Sequence, residues 1–187
     1  MVIFEITKSI LQGKIGVIPT DTIYGIVGSA LQPETVEKIY RLRKRALDKP
    51  FIILISSLND LNHFNIQLTQ KQKDFLKRYW PNPLSVVLPV NDEKFKYLHR
   101  GTNSLAFRMP KDEKLTDLLR NTGPLVAPSA NFEGDKPSET IEETKKYFGD
   151  EIDFYVDSGK IKSMPSTLIS LNKDGTFIVL RQGSFRV

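Results

Sequence analysis

Cysteine is absent, so disulfides, thiolate metal sites and cysteine nucleophiles are excluded together. Only two histidines are present, His63 and His99, which excludes a His-rich metal site and leaves no Ser-His-Asp arrangement to argue. No run approaches the roughly 18 apolar residues of a membrane helix; Phe51–Ile55 is among the longest. The N-terminal stretch carries Glu5 and no long apolar segment, so no secretory leader is predicted and the cytosol is the simplest expected location. Neither glycine-rich phosphate signature, Gly-x-x-x-x-Gly-Lys-[Ser/Thr] or Gly-x-Gly-x-x-Gly, occurs. The 11 Gly and 11 Pro are scattered along the chain, which argues against a fibrous or low-complexity protein.

What is present points to one folded domain spanning 1–187. Its 187 residues are 40% hydrophobic and 10% aromatic, enough for a sizeable core. Twenty-seven Lys and Arg against 22 Asp and Glu leave +5, a modest excess that suits a polyanionic ligand without requiring one. Local clustering is more telling, because Arg41, Arg43, Lys44, Arg45 and Lys49 lie within nine residues. Taken alone, such a run fits a solvated helix end.

Helix-like and strand-like segments alternate. Ile3–Leu11 has amphipathic helical spacing and stops at Gly13, and Pro33–Arg43 repeats it through Val36, Ile39 and Tyr40. Thr69–Trp80 and Lys111–Asn121 are predicted helices, and Thr140 caps another over Ile141–Phe148, with Glu143 completing a capping box. Strands are expected at Ile15–Pro19, Phe51–Ile55, Leu84–Leu88, Leu105–Met109, Pro124–Ala127, Phe154–Val156, Thr167–Leu171 and Phe177–Leu180. Asp174-Gly175 marks a hairpin between the last two, so the sheet must be mixed. The fold class is α/β, one mixed sheet flanked by helices.

Four loop regions follow apolar strands, where open α/β sheets place ligands. Pro19-Thr20-Asp21-Thr22-Ile23-Tyr24-Gly25 has two hydroxyls around a carboxylate, with Gly25 and Gly28 permitting close backbone approach; a turn cap accounts for it equally. In Arg43–Pro50, Arg43 and Arg45 can share a ligand only if the helix ends near Leu42, and Pro50 biases Lys49 to an extended geometry. Ala127-Pro128-Ser129-Ala130-Asn131 offers small side chains and backbone N–H groups suited to phosphate oxygens. Ser104 and Arg108 lie on one strand face, while Ser166-Thr167 and Arg181 sit at strand ends. By themselves Arg108 fits a surface ion pair, Arg181 a solvated strand end and Ser166-Thr167 an edge-strand start.

In order, these segments resemble the YrdC/TsaC family of threonylcarbamoyl-AMP synthases. The residues that carry the resemblance are 19–25, Arg43-Lys44-Arg45 with Asp48–Phe51, Ser104-x-x-x-Arg108-Met109-Pro110, Pro128–Asn131, Pro165-Ser166-Thr167 and Arg181-Gln182-Gly183. The resemblance implies a twisted mixed sheet with a basic concave cleft. It also implies a nucleotidyltransferase that converts L-threonine, bicarbonate or CO2, and ATP into L-threonylcarbamoyl-AMP and pyrophosphate. That is the first step of tRNA threonylcarbamoyladenosine modification, with a downstream threonylcarbamoyl-transferase complex as the consumer. An alternative is a non-catalytic RNA- or tRNA-binding protein using the same cleft.

Carried over by position, the resemblance places Thr22, Arg108, Ala127 and Ser166 around threonine. It places Arg45, Lys49, Ser104, Ser129 and Arg181 around ATP, with Arg43 and Asn131 as helpers and Arg43 and Arg45 as the catalytic cations. No protein metal site is implied; Mg2+ is expected through the phosphates, with Asp21 as an outer-shell ligand or, more simply, a turn cap. The chain departs from the family pattern at Arg43, often Lys, at Lys49, Asn in some relatives, at Leu54, His in some relatives, and at Glu133, where Ser is common.

Overall fold

The structure, a computed structural model, describes residues 3–46 and 48–187; Leu47, inside the cationic segment, lies outside the described residues. Helix α1 (Ile3–Leu11) leads into strand β1 (Gly16–Pro19), which turns back into β2 (Tyr24–Ser29). Helix α2 (Pro33–Leu42) and strand β3 (Ile52–Leu54) follow. After a 3-10 turn at Leu58–Phe64 come α3 (Gln70–Tyr79), β4 (Leu84–Pro89), the short α4 (Lys96–His99) and β5 (Ser104–Arg108). The chain closes with α5 (Glu113–Thr122), β6 (Leu125–Val126), α6 (Ile141–Phe148), β7 (Phe154–Tyr155), β8 (Thr167–Leu171) and β9 (Phe177–Arg181). The strands form one nine-stranded sheet in the order β7-β1-β2-β6-β3-β5-β4-β8-β9. It is mixed as expected: β3–β5, β4–β8 and β1–β7 are parallel and the β8–β9 hairpin is antiparallel.

Local signals explain most boundaries. Thr69 and Gln72 form a reciprocal capping box on α3, with bonds of 3.2 and 3.1 Å. The helix expected from Lys111 starts at Glu113 instead, because Asp112 is its cap and accepts from Leu115 N at 2.8 Å. On α6, Thr140 accepts from Glu143 N, but the Glu143 carboxylate accepts from Glu139 N at 2.7 Å rather than from the cap residue, so the expected capping box is only half formed. Strand β2 corrects the reading of Tyr24-Gly25 as loop. All six of its residues are buried, so it has no polar-apolar alternation to betray a strand. Gly28 serves a close approach to α2 rather than to a ligand, since a Cβ there would lie 2.5 Å from the Thr35 methyl. Ser166-Thr167 opens an interior strand: β8 lies between β4 and β9, and both residues are buried.

Two apolar clusters cover the two sheet faces. Ile6 and Ile10 of α1 and Leu115, Leu118 and Leu119 of α5 pack on one face against Ile18, Val27, Leu54 and Leu125. Residues of α2, α3 and α6 pack on the other, against Val17, Ile26, Ile53, Val86 and Phe107. Helices α1 and α5 do not reach the far half of their face. Register pairs Ile52 with Ala106, Ser85 with Leu168, and Leu168 with Arg181, so these residues share that face. Ile52 and Leu168 are accordingly only half-buried. A cleft opens there.

Candidate functional site

The end of α2 brings two arginines to the cleft. Arg43 N donates to Ile39 O, Lys44 N to Arg41 O and Arg45 N to Tyr40 O, with Lys44 at φ +51°. This is a Schellman ending with lysine in the left-handed position usually held by glycine. The chain reverses there, so the helix ends at Leu42 as sharing a ligand requires, and Arg43 and Arg45 line one cavity of about 190 Å³. Tyr40 stacks on Phe51 at 4.0 Å and its hydroxyl donates to Lys49 O at 2.9 Å, fixing the far end of the loop.

Of the predicted cations, Arg43, Arg45, Arg108 and Arg181 line this cleft; of the small residues, Thr22, Ala127, Ser129 and Ser166 do. Arg43 is buried, and donates from Nε to Asn131 O at 3.0 Å and from a terminal nitrogen to Ser129 Oγ at 3.2 Å. Burial, helped by the charge of Arg45, pulls its pKa down to about 10, so it stays protonated at neutral pH. Arg181 donates to Ser166 O at 2.9 Å, and burial of its guanidinium lowers its pKa. The Ser166 hydroxyl pairs with Ser85 at 2.8 Å, and Thr22 Oγ1 lies 3.1 Å from Thr20 Oγ1.

Three predicted residues are not on the cleft wall. Asn131 is buried beneath it, its amide donating to Phe132 O and Asp135 O at 2.7 and 2.8 Å, which shapes the 131–135 loop. Ser104 lies one strand repeat beyond Ala106 on the same face and bonds Thr102. Lys49 points to Glu133, with Nζ 2.8 Å from Oε1.

Two carboxylates at the site were not paired by sequence reasoning. Arg108, expected as a surface ion pair on the simplest reading, is buried against Asp21, with a terminal nitrogen 3.0 Å from Oδ1. Burial pulls the Arg108 pKa down against the opposing pull of Asp21. Its Nε makes no hydrogen bond among the described residues. Asp21 therefore does not cap its turn; Thr20 Oγ1 does, accepting from Thr22 N and Ile23 N at 3.2 and 3.3 Å. The second carboxylate, Glu133, touches the cationic loop, and Lys49 together with the Ala46 N–H holds its pKa down to about 2. Asp21 and Arg108 are 87 positions apart, with no local signal linking them; Glu133 was legible only as a departure from a family pattern.

Gly183 packs against the Pro165–Ser166 turn that lines the cleft. A Cβ there would lie 2.2 Å from Pro165 O and 2.5 Å from Ser166 C, so backbone must move. Gly183→Ala is expected to cost about 1–3 kcal/mol of stability and, by shifting Ser166, to weaken ligand binding as well. Chemical denaturation with a parallel binding titration checks both; an unchanged Cm would show that the Pro165–Ser166 turn yields freely.

A larger groove of about 1040 Å³ lies across the Thr20–Thr22 segment, between α1, α5 and residues 156–163. Its rim carries Asp112, Glu113 and Asp157 against Lys114, the wrong balance for a polyanion. The smaller cleft is the better site.

These features define a class: a mixed α/β protein whose sheet leaves one face open beneath a cleft with four arginines. Comparison with known proteins agrees. The Sua5/YciO/YrdC family model, described as "Telomere recombination", matches residues 8–183, and the chain belongs to this family. A threonylcarbamoyl-AMP synthase of Pyrococcus abyssi is 33% identical over 167 residues, covering 88% of this chain and 49% of the relative. A putative threonylcarbamoyl-AMP synthase of Methanocaldococcus jannaschii is 30% identical over 177 residues, 94% of this chain and 83% of the relative. The crystal structure of P. abyssi Sua5 complexed with L-threonine superposes with a TM-score of 0.87 at 30% identity, over 97% of this chain and 54% of that one. The chain thus spans about half the length of the P. abyssi relative.

Proposed function

We propose that this chain, as one domain, is a threonylcarbamoyl-AMP synthase, a nucleotidyltransferase acting in the cytoplasm on L-threonine, bicarbonate or CO2, and ATP. The observation that carries the reading is the convergence of Arg43, Arg45, Arg108 and Arg181 with Thr22, Ser129 and Ser166 on one cleft, from segments scattered between residues 20 and 181. The names of the relatives and the threonine complex of a family member support it. Arg108 takes the threonine carboxylate, since guanidinium offers two coplanar donors. Thr22, Ala127 and Ser166 enclose the side chain. Arg45, Ser129 and Arg181 hold the nucleotide with Arg43 helping from the cleft wall, while Lys49 and Ser104 lie farther out and Asn131 beneath.

The chemistry follows from charge. Threonine's amine, as its carbamate, attacks the α-phosphorus through a carbamate oxygen; a new P–O bond forms, the bond to the β-phosphate breaks, and pyrophosphate leaves. No protein nucleophile is needed. The protein positions two anions that repel each other and neutralises the charge they share. The residues present do not form a Mg2+ site: among the described residues no three His, Asp or Glu side chains are grouped to hold a metal, and the carboxylates of Asp21 and Glu133 face cations. Any Mg2+ arrives with the nucleotide, held by its phosphates. The product passes to a transferase complex that modifies tRNA.

The test is pyrophosphate release from ATP, which should require both threonine and bicarbonate. Release without threonine, or salt-steep RNA binding with no turnover, overturns the reading. Arg45→Ala should weaken binding of an ATP analogue by about tenfold or more, as loss of a charge-assisted bond implies, while threonine binding changes little.

A further inference from the structure

Glu133 holds the cationic loop from four sides. Its Oε1 lies 2.8 Å from Lys49 Nζ and 3.8 Å from an Arg45 terminal nitrogen. Its Oε2 accepts from Ala46 N at 2.6 Å, and its own N–H donates to Arg43 O at 3.0 Å. The carboxylate therefore lies where an anionic ligand of Arg45 and Lys49 would lie, beside the cleft that Arg45 lines. The other carboxylate of the site, Asp21, is buried on Arg108 and does not reach these two cations.

We propose that Glu133 is a built-in anion that occupies the Arg45–Lys49 cation pair until a polyphosphate displaces it, and so keeps ligands of low charge off that pair. This rests on the nucleotide reading of the cleft. A single carboxylate on partly exposed cations is a weak competitor; a triphosphate or pyrophosphate, with several charges, displaces it. A nucleoside monophosphate, or the singly charged phosphoryl group of an acyl-adenylate product, competes less well. Displacement needs only rotation of the side chain, because the Glu133 N–H to Arg43 O bond and the Asn131 amide bonds keep the 131–135 loop in place. Once pyrophosphate departs, the carboxylate returns and resists rebinding.

Calorimetric titration of the whole chain with inorganic pyrophosphate and with AMP provides the test. Glu133→Gln keeps an acceptor for Ala46 N and removes the charge, so it should bind pyrophosphate about fivefold tighter, the equivalent of a lost exposed ion-pair competitor. AMP, which competes less well for the cation pair, should gain no more than that. Unchanged or weaker pyrophosphate binding by the folded variant overturns the proposal and makes Glu133 a loop brace. An independent measurement needs no variant: with carboxyl-labelled glutamate, the Glu133 signal of the wild-type chain should titrate nearer the ordinary carboxylate range once pyrophosphate is bound. A titration unaffected by pyrophosphate also overturns it. A wild-type chain that binds neither pyrophosphate nor an ATP analogue overturns the nucleotide reading and this inference together, whereas binding with no effect at Glu133 overturns this inference alone.

Discussion

Arg108→Met should lower the unfolding free energy by about 3–5 kcal/mol, because it leaves the Asp21 carboxylate buried without its partner. For a chain of this size that corresponds to a fall in Tm of roughly 6–20 °C. The double variant Asp21→Asn/Arg108→Met should recover more than half of the loss, since a buried ion pair contributes little beyond satisfying itself. Thermal unfolding of these two variants and of the Asp21→Asn single variant closes the cycle, and a loss below about 1 kcal/mol in Arg108→Met would mark the pair as no more than a surface one. The same residue carries the sharpest kinetic expectation. Arg108→Lys keeps the charge and the Asp21 contact but not the coplanar donors, so the KM for threonine should rise about tenfold or more while that for ATP moves little. A normal threonine KM would remove Arg108 from the amino-acid pocket.

Valine should be rejected relative to threonine by on the order of 10⁴ in kcat/KM, and serine only by roughly 10- to 200-fold. The asymmetry follows from the hydroxyls on the cleft. Thr22 and Ser166 each have one hydroxyl partner, Thr20 and Ser85, and a hydroxyl with one donor and two lone pairs retains capacity for a ligand. Valine would leave that capacity buried and unmet, whereas serine merely leaves a methyl-sized gap. Thr22→Val and Ser166→Ala should each narrow the threonine-to-valine ratio. Competition kinetics with the two amino acids decides it, and equal turnover of valine would show that no side-chain hydroxyl is read.

The legible parts of this protein were those written in local sequence. Thr140, Asp174-Gly175 and the Pro33 opening of α2 place their elements because capping, turn and helix-start chemistry act within four residues. Strand β2 was illegible for a physical reason: Tyr24-Gly25-Ile26-Val27-Gly28-Ser29 is buried on both faces, and its two glycines mimic a loop. The site divided the same way. The end of α2 near Leu42 followed from requiring Arg43 and Arg45 to meet, and the chain meets that requirement by placing Lys44 in a left-handed turn. The partners of the cations were hidden, because Asp21–Arg108 and Lys49–Glu133 are joined only through tertiary packing. Lys49 thus faces a carboxylate on a neighbouring loop, and Ser104 stands a repeat away from the cleft it was assigned to.

The order of strands in the sheet has a consequence for the chain while it is being made. Strand β4 sits between β5 and β8, and its Leu84–Val87 stretch pairs in parallel with Thr167–Ser170, which leaves the ribosome some eighty residues later. Until then the apolar run Leu84-Ser85-Val86-Val87-Leu88 is an uncapped sheet edge, the kind of surface on which nascent chains stick to one another. Ser166 and Arg181 arrive with the same late segment, so the cleft gains its last wall in the step that covers that edge. A product of premature termination before Pro165 therefore lacks the cleft's closing residues and keeps the β4 edge open. Ligand retention would thus distinguish finished chains from abandoned ones.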